Sequence, residues 1–157
     1  MIRRFLAVAV VALALAGPAI AAPAAKPDLK VTTLDGKPFD LAAQHGKWVV
    51  VNYWATWCVP CIKEMPDISA FVKNNKNVTA IGLAFEDSDV KDIRAFVAKH
   101  PVVYPIAQVD VTDPPKAFEE PKGLPTTYLI APDGTVAKRF VGPVTEKILD
   151  EAIAKGK

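Results

Sequence analysis

The chain has 157 residues, of which 51% are hydrophobic and 23% are charged, which suits one domain with a substantial core but not two domains. This composition excludes a disordered chain. The formal net charge is +2, but without the leader residues Arg3 and Arg4 the 19 basic residues become 17 and equal the 17 acidic ones, so nucleic-acid binding is not predicted.

Residues 1–22 predict a secretory signal peptide. Two arginines precede an apolar stretch at 5–16, and the small residues at 19–21 fit a cleavage site. The alternative is an uncleaved membrane anchor, because an uncharged run of about 18 residues reaches the lower limit for spanning a bilayer. The alanine-rich composition and the break at Gly17-Pro18 favour cleavage. Both alternatives place the domain outside the cytoplasmic membrane, most simply in a bacterial periplasm.

Residues 23–28 form a short Ala/Pro linker, and residues 29–157 are predicted to fold as one domain. The alternation at 29–34 predicts a strand, and Asp35-Gly36 predicts a hairpin turn before the next short strand. Asp40 then fits the start of a short helical turn that Gly46 ends.

The β-branched and aromatic run Trp48–Trp54 predicts a buried strand. After it, apolar residues recur at helical spacing from Ile62 to about Asn74, and Pro66 is expected to bend this helix. The only two cysteines of the chain, Cys58 and Cys61, lie between the strand and the helical run.

The second half of the chain continues with alternating strands and helices. The predicted elements are, in order, a strand at 78–85, a helix capped by Ser88 or Asp89 and ended at His100-Pro101, a short strand at 104–109, a brief helix at 113–121, a strand at 126–130, a turn at 132–134, a strand at 135–141 and a terminal helix after Gly142-Pro143. This order predicts an α/β sandwich with a mixed central sheet.

The position of Cys58, where a strand ends and a helix begins, favours redox chemistry. Unpaired N–H groups and the positive end of the helix dipole stabilise a thiolate there and lower the thiol pKa. The alternative is a static crosslink, but a loop of about 4 residues contributes only ~2 kcal/mol to stability. No metal or other cofactor is predicted, because only His45 and His100 remain as further zinc ligands and Ile62 stands where covalent haem needs histidine.

The run Trp57-Cys-Val-Pro-Cys61, followed by Glu64-Met-Pro66, resembles the WCxPCxxExP signature of thioredoxin-fold thiol–disulfide oxidoreductases. It is most similar to the TlpA-like and ResA-like proteins of the bacterial envelope. The resemblance covers about 28–154. It implies a thioredoxin-like fold, α/β with a mixed central sheet flanked by helices, an N-terminal hairpin extension and a central insert between Phe85 and Pro105.

The resemblance also implies catalytic roles for three residues. Cys58 attacks a substrate disulfide, and Cys61 then attacks Cys58 and releases the reduced substrate. Glu64 lies one helical turn after Cys61 and is placed to accept its proton. Asn52 occupies the position at which similar thioredoxins carry a buried acid, and an amide cannot take up that proton. The alternative for Glu64 is a solvated surface carboxylate.

Four further residues are expected to bind the substrate. Leu124 and Pro125 resemble the cis-proline loop of the fold, in which the Leu124 backbone pairs with an extended substrate; an ordinary trans turn is the alternative. Trp57 is expected to form an apolar rim beside Cys58, and Pro60 to stiffen the loop between the sulfurs.

These features predict a periplasmic reductant of protein disulfides that receives electrons from a membrane donor. No histidine separates the cysteines, whereas oxidants of this fold usually carry one there. By resemblance, the client is an apocytochrome c thiol pair or a copper-site assembly protein. The alternatives are a disulfide oxidant and a chaperone that holds a metal or a client through its thiols without turnover. A peroxidase is disfavoured, because Val51 and Ala55 stand where that version of the fold places Pro and Thr.

Overall fold

The structure, a computed structural model, describes residues 26–156. The signal peptide predicted at 1–22 lies outside the described residues, and the division into signal, linker and domain stays a prediction. Among residues 26–156 no helix combines the length and the apolar character that crossing a membrane requires.

The described residues form seven strands, three α-helices and one 3-10 turn. In chain order they are β1 (Lys30–Thr32), β2 (Pro38–Asp40), a 3-10 turn (Ala42–Gln44), β3 (Trp48–Trp54), α1 (Val59–Asn74), β4 (Val78–Phe85), α2 (Val90–Lys99), β5 (Ile106–Val109), β6 (Thr126–Ile130), β7 (Val136–Val141) and α3 (Glu146–Lys155). The predicted strands at 48–54, 78–85 and 126–130 are confirmed.

Five strands form a mixed central sheet in the order β5-β4-β3-β6-β7. Strand β3 pairs in parallel with β4 and antiparallel with β6, while β5 is parallel to β4 and β7 is antiparallel to β6. This arrangement confirms the predicted thioredoxin-like α/β fold with a mixed central sheet, and α2 lies within the stretch 85–105 that was predicted as a central insert.

The two faces of β3 belong to different halves of the core. Trp48, Val50 and Trp54 pack in a cluster that also contains buried side chains of α1, α2 and α3. Val49 and Tyr53 face the opposite way, into a cluster that is covered by the β1–β2 hairpin and by Phe118. Because both faces of the strand are buried, its sequence is a continuous apolar run rather than an alternating one.

The predicted hairpin at the start of the domain is confirmed. Strands β1 and β2 pair antiparallel through Val31 and Phe39, and Gly36 has a φ of 81°, which glycine adopts without strain. The Leu34 N–H donates to the Ile106 carbonyl at 2.7 Å, so the hairpin is tied to the edge strand β5.

The brief helix predicted at 113–121 is wrong, because the structure has only turns and bends there. Pro114 and Pro115 suit a first helical turn. Only five residues separate Pro115 from Pro121, however, and so short a segment does not form a stable helix without packing that favours it. The segment is anchored instead by Phe118, whose ring is buried against Tyr53 and Tyr128.

Candidate redox site

A disulfide joins Cys58 and Cys61 at the point where β3 leads into α1. Cys58 is the N-cap of α1, and its sulfur accepts a hydrogen bond from the Cys61 N–H at 3.3 Å. Pro60 lies in the first helical turn, where its missing N–H leaves no helical bond unmade. Both cysteines are buried, but Cys58 keeps 5% of its surface exposed and Cys61 none, so Cys58 is the more accessible of the two.

The helix that begins at Cys58 continues through Pro66 to Asn74. The Cys61 N–H and the positive end of the helix dipole therefore lie at the Cys58 sulfur. When the disulfide is reduced, this position stabilises a thiolate and makes it a nucleophile near neutral pH.

The Leu124–Pro125 loop lies beside the end of β3. The register pairs Tyr53 with Thr126, so the two residues before Thr126 adjoin the segment that follows β3. The Leu124–Pro125 peptide bond is cis, and the Pro125 carbonyl accepts a hydrogen bond from the Gly142 N–H at 2.9 Å. The ordinary trans turn is thereby excluded.

Glu64 is a buried carboxylate, with 2% of its surface exposed, so the alternative of a solvated surface residue is wrong. Its Oε1 accepts from the Asn52 side-chain amide at 2.7 Å, and its Oε2 accepts from the Val144 N–H at 2.8 Å. Burial raises the pKa of Glu64 from 4.5 to about 7; the two hydrogen bonds act in the opposite direction, and the charge of Asp67 adds to the rise.

Glu64 and Cys61 share the buried face of α1, three residues apart. A carboxyl with a pKa near 7 can both accept and return a proton at physiological pH. The Asn52 amide donates to the Glu64 carboxyl and also to the Thr127 hydroxyl at 2.9 Å. Because both hydrogen bonds fix the amide, Asn52 holds the Glu64 carboxyl in position. The arrangement supplies one proton acceptor on the same buried face of α1 as the Cys61 sulfur.

Trp57 projects into solvent next to the disulfide, with 68% of its surface exposed. It lines a groove of about 450 Å³, and Leu124 and Lys122 are among the other residues that line it. Two of the predicted substrate-binding residues, Trp57 and Leu124, therefore border one depression beside Cys58.

Glu86, which follows the end of β4, is a second buried carboxylate that was not predicted from the sequence. Its oxygens accept three hydrogen bonds, from the Thr56 N–H at 2.7 Å, the Thr56 hydroxyl at 2.8 Å and the Ser88 hydroxyl at 2.7 Å. The sequence carries one signal for this contact. Glu86 directly follows the predicted buried strand at 78–85, and the ends of neighbouring parallel strands lie at the same edge of a sheet, so Glu86 is expected near the residues that follow β3.

The chemistry that this site supports is thiol–disulfide exchange. It has two sulfurs that form and break one bond, a helix N-terminus that favours a thiolate, and a carboxyl that takes up a proton. In the described part of the chain, no group of three or more His, Cys, Asp or Glu side chains is arranged to hold a metal ion.

The AhpC/TSA family model matches residues 23–139. A thiol-disulfide oxidoreductase ResA of Bacillus thuringiensis (strain Al Hakam) is 33% identical over 131 residues, which cover 82% of this chain and 75% of that protein. The thioredoxin-like protein YneN of Bacillus subtilis (strain 168) is 31% identical over 130 residues, covering 81% of this chain and 75% of that protein.

Solved structures agree with these relatives. A thiol:disulfide interchange protein of the thioredoxin family from Chlorobium tepidum TLS superposes with a TM-score of 0.75 at 29% identity, covering 87% of this chain and 98% of that chain. A secreted Mycobacterium tuberculosis disulfide oxidoreductase homologous to E. coli DsbE gives a TM-score of 0.69 at 27% identity, covering 82% of this chain and 96% of that chain. The chain therefore belongs to the AhpC/TSA family of thioredoxin-like proteins and is a thiol–disulfide oxidoreductase of the ResA-like group, with Cys58 and Cys61 as its redox pair.

Proposed function

We propose that this protein reduces disulfides of client proteins outside the cytoplasmic membrane, with Cys58 as the attacking residue. The observation that carries the proposal is the asymmetry of the pair: Cys58 is the helix N-cap and keeps 5% of its surface exposed, while Cys61 is fully buried on the same face of α1 as Glu64. That asymmetry gives the two sulfurs different tasks.

The first step joins the protein to its client. The Cys58 thiolate attacks one sulfur of the client disulfide, the client S–S bond breaks, and its other sulfur leaves as a thiolate that takes a proton from solvent. The product is a mixed disulfide between Cys58 and the client.

The second step releases the client. Cys61 gives its proton to the Glu64 carboxylate and attacks the Cys58 sulfur, so the Cys58–Cys61 bond forms and the mixed disulfide breaks. The client sulfur leaves Cys58 as a thiolate and takes a proton from solvent, so the client departs with two thiols. Two electrons have then passed from the cysteine pair to the client, and the pair is left as the Cys58–Cys61 disulfide. Glu64 is suited to this task because its pKa lies at about 7.

The client's chain is held across the groove beside the disulfide. Trp57 and Leu124 both line this groove and supply apolar contact, and the Leu124 backbone pairs with an extended strand of the client. Pro60 stays exposed in the first turn of α1 and keeps the loop between the sulfurs stiff. Disulfide-bearing proteins are the substrates that the family implies.

The location and the client are further parts of the proposal. The signal sequence expected at 1–22, together with the secreted relative from Mycobacterium tuberculosis, supports a periplasmic domain that draws electrons from a membrane donor. The similarity to ResA and DsbE proteins supports a client in cytochrome c maturation, with a copper-site assembly protein as the second choice.

Activity is tested by the reduction of insulin disulfides in the presence of dithiothreitol. The wild-type protein accelerates the reduction, and Cys58→Ser abolishes the acceleration. A protein that binds insulin without accelerating its reduction is a thiol-based chaperone instead, and that outcome contradicts the proposal.

Direction is tested by the reduction potential of the Cys58–Cys61 pair, measured at equilibrium against glutathione. We expect a value below about −200 mV, in the range of thioredoxin and glutaredoxins. A value near about −120 mV, as strong oxidants have, makes the protein a disulfide donor and contradicts the reducing direction.

A further inference from the structure

The buried carboxylate of Glu86 has no task in the exchange reaction. Only 4% of its surface is exposed, and among the ion pairs of residues 26–156 none includes it. A buried charge without a cation is costly unless hydrogen bonds satisfy it, and Glu86 accepts three, at 2.7 to 2.8 Å. The buried carboxylate of Glu86 therefore holds its donors, Thr56 and Ser88, in place.

Two of the three donors belong to Thr56. This residue sits in the middle of the short connection 55–57 between β3 and Cys58. Strands β3 and β4 are parallel and paired through Trp54 and Ala84, so Glu86 reaches Thr56 across the shared edge of the sheet. Glu86 therefore accepts hydrogen bonds from both the backbone and the side chain of Thr56, the residue that precedes Trp57.

The Trp57 side chain has little packing of its own to orient it, because 68% of its surface is exposed. Its position beside the groove is then determined by the backbone on either side of it. On one side lies Cys58, which is fixed as the cap of α1, and on the other side lies Thr56. An exposed aromatic side chain contributes more to binding when its backbone is ordered before the partner arrives.

We propose that Glu86 is a positioning residue for client recognition: by holding Thr56 it keeps Trp57 in place along the groove that Trp57, Leu124 and Glu86 itself line. This inference rests on the proposed function, because it assigns Glu86 to the docking of the same client. Glu86 acts through Thr56 and does not touch the reacting sulfurs. Its loss affects a polypeptide that contacts Trp57 more than a small disulfide that reaches only Cys58.

The experiment compares two disulfides with the reduced protein. One is a ten-residue peptide that carries an intramolecular disulfide and apolar neighbours, and the other is hydroxyethyl disulfide. The measured quantity is the ratio of their second-order rate constants. In Glu86→Ala we expect this ratio to fall about tenfold, since one misplaced contact residue costs on that order.

Glu86→Gln provides the conservative rescue. Its amide oxygen still accepts from the Thr56 N–H, and its amide N–H₂ donates to the Thr56 or Ser88 hydroxyl, each of which can rotate to accept. We expect Glu86→Gln to restore most of the ratio. If Glu86→Ala does not fold, Thr56→Val removes one of the three bonds while keeping the backbone bond, and it should lower the ratio about threefold.

The two proposals fail in different ways. If the wild-type protein reduces neither disulfide, the proposed function is wrong. If the wild type reduces the peptide and the ratio is the same in folded Glu86→Ala and Thr56→Val, only the role of Glu86 is wrong. The role of Glu86 is also wrong if these variants reduce the peptide and hydroxyethyl disulfide more slowly by the same factor. Such a result would indicate a general distortion of the redox site and not the loss of a contact between Trp57 and the client.

Discussion

Glu64 is the residue whose surroundings most clearly alter its chemistry. Its carboxyl lies in the core with two hydrogen bonds and no cation, and burial outweighs the bonds in setting its pKa at about 7. A carboxyl on the surface of α1 would be ionised throughout the physiological range and would have little tendency to take a proton from a thiol. The burial of Glu64 therefore makes it suitable as a base.

The raised pKa makes stability depend on pH. The folded state holds the Glu64 proton up to pH about 7, whereas the unfolded chain releases it near pH 4.5, so the free energy of unfolding falls as pH rises between these values. In Glu64→Gln this fall is absent. Between pH 4.5 and about 7 we therefore expect the free energy of unfolding of the variant to rise by roughly 3 kcal/mol relative to that of the wild type, at about 1.4 kcal/mol per pKa unit. Urea denaturation of the oxidised protein measures it, since disulfide cysteines do not titrate.

A constant difference in free energy between the two proteins from pH 4 to pH 8 would show that Glu64 titrates normally. Asp67→Asn is the matched control, because it removes a neighbouring carboxylate on the same helix that is only half-buried. We expect no comparable gain for this control.

The proposed role of Glu64 as the proton acceptor for Cys61 also predicts a change in the lifetime of the mixed disulfide. Without a proton acceptor, Cys61 attacks Cys58 more slowly, and general-base catalysis is commonly worth a factor of about 10² or more. We expect Glu64→Gln to prolong the complex with a disulfide-bonded peptide by about that factor, while Asp67→Asn does not. Rapid quenching with acid followed by mass spectrometry measures the lifetime, and an unchanged lifetime would remove Glu64 from the release step.

At the scale of secondary structure, the site depends on two central strands that are buried on both faces. Gly82 in β4 illustrates how closely they are packed. A methyl group at this position would lie 2.5 Å from the Ile106 side chain and 3.1 Å from the Trp54 indole nitrogen. The sheet therefore has no room for a side chain where β4 passes between β3 and β5.

Gly82→Ala is expected to lower the free energy of unfolding by about 1–3 kcal/mol, because overpacking of a rigid core forces its neighbours to move. Gly123→Ala is the control, since a methyl group there meets nothing within 4 Å. We expect the control to stay within about 0.5 kcal/mol of wild type. Urea denaturation at pH 7 compares them, and equal stabilities for the two variants would contradict the packing described here.

The same strands explain which elements could be predicted. Long apolar runs bounded by turn residues predicted β3, β4 and β6 with their observed bounds, because buried strands of a mixed sheet carry this pattern along their whole length. The segment 113–121 was mispredicted as a helix. Its prolines are typical of the first turn of a helix. The conformation is instead determined by the packing of Phe118 against Tyr53 and Tyr128, which local sequence does not reveal.

At the scale of the whole molecule, the site is assembled from segments far apart in the chain. Glu64 accepts a hydrogen bond from the Val144 N–H, which lies after β7, and Asn52 donates to Thr127 in β6. The two cysteines, Glu64 and the Leu124–Pro125 loop could be predicted from motifs. The hydrogen-bond partners of Glu64 and Glu86 could not, because Asn52, Val144 and Thr56 are brought to these carboxyl groups by the tertiary fold rather than by local sequence spacing.

The proposed exchange reaction requires Cys58 to attack the client and Cys61 to release it, and single-cysteine variants test this division most directly. Cys61→Ser leaves Cys58 free at the helix N-terminus, whereas Cys58→Ser leaves only the enclosed Cys61. Each reduced variant is mixed at pH 7 with a disulfide-bonded peptide, and formation of the mixed disulfide is followed by mass spectrometry. We expect Cys61→Ser to capture the peptide about a hundredfold faster than Cys58→Ser. Equal rates, or faster capture by Cys58→Ser, would contradict the assignment of Cys58 as the attacking residue.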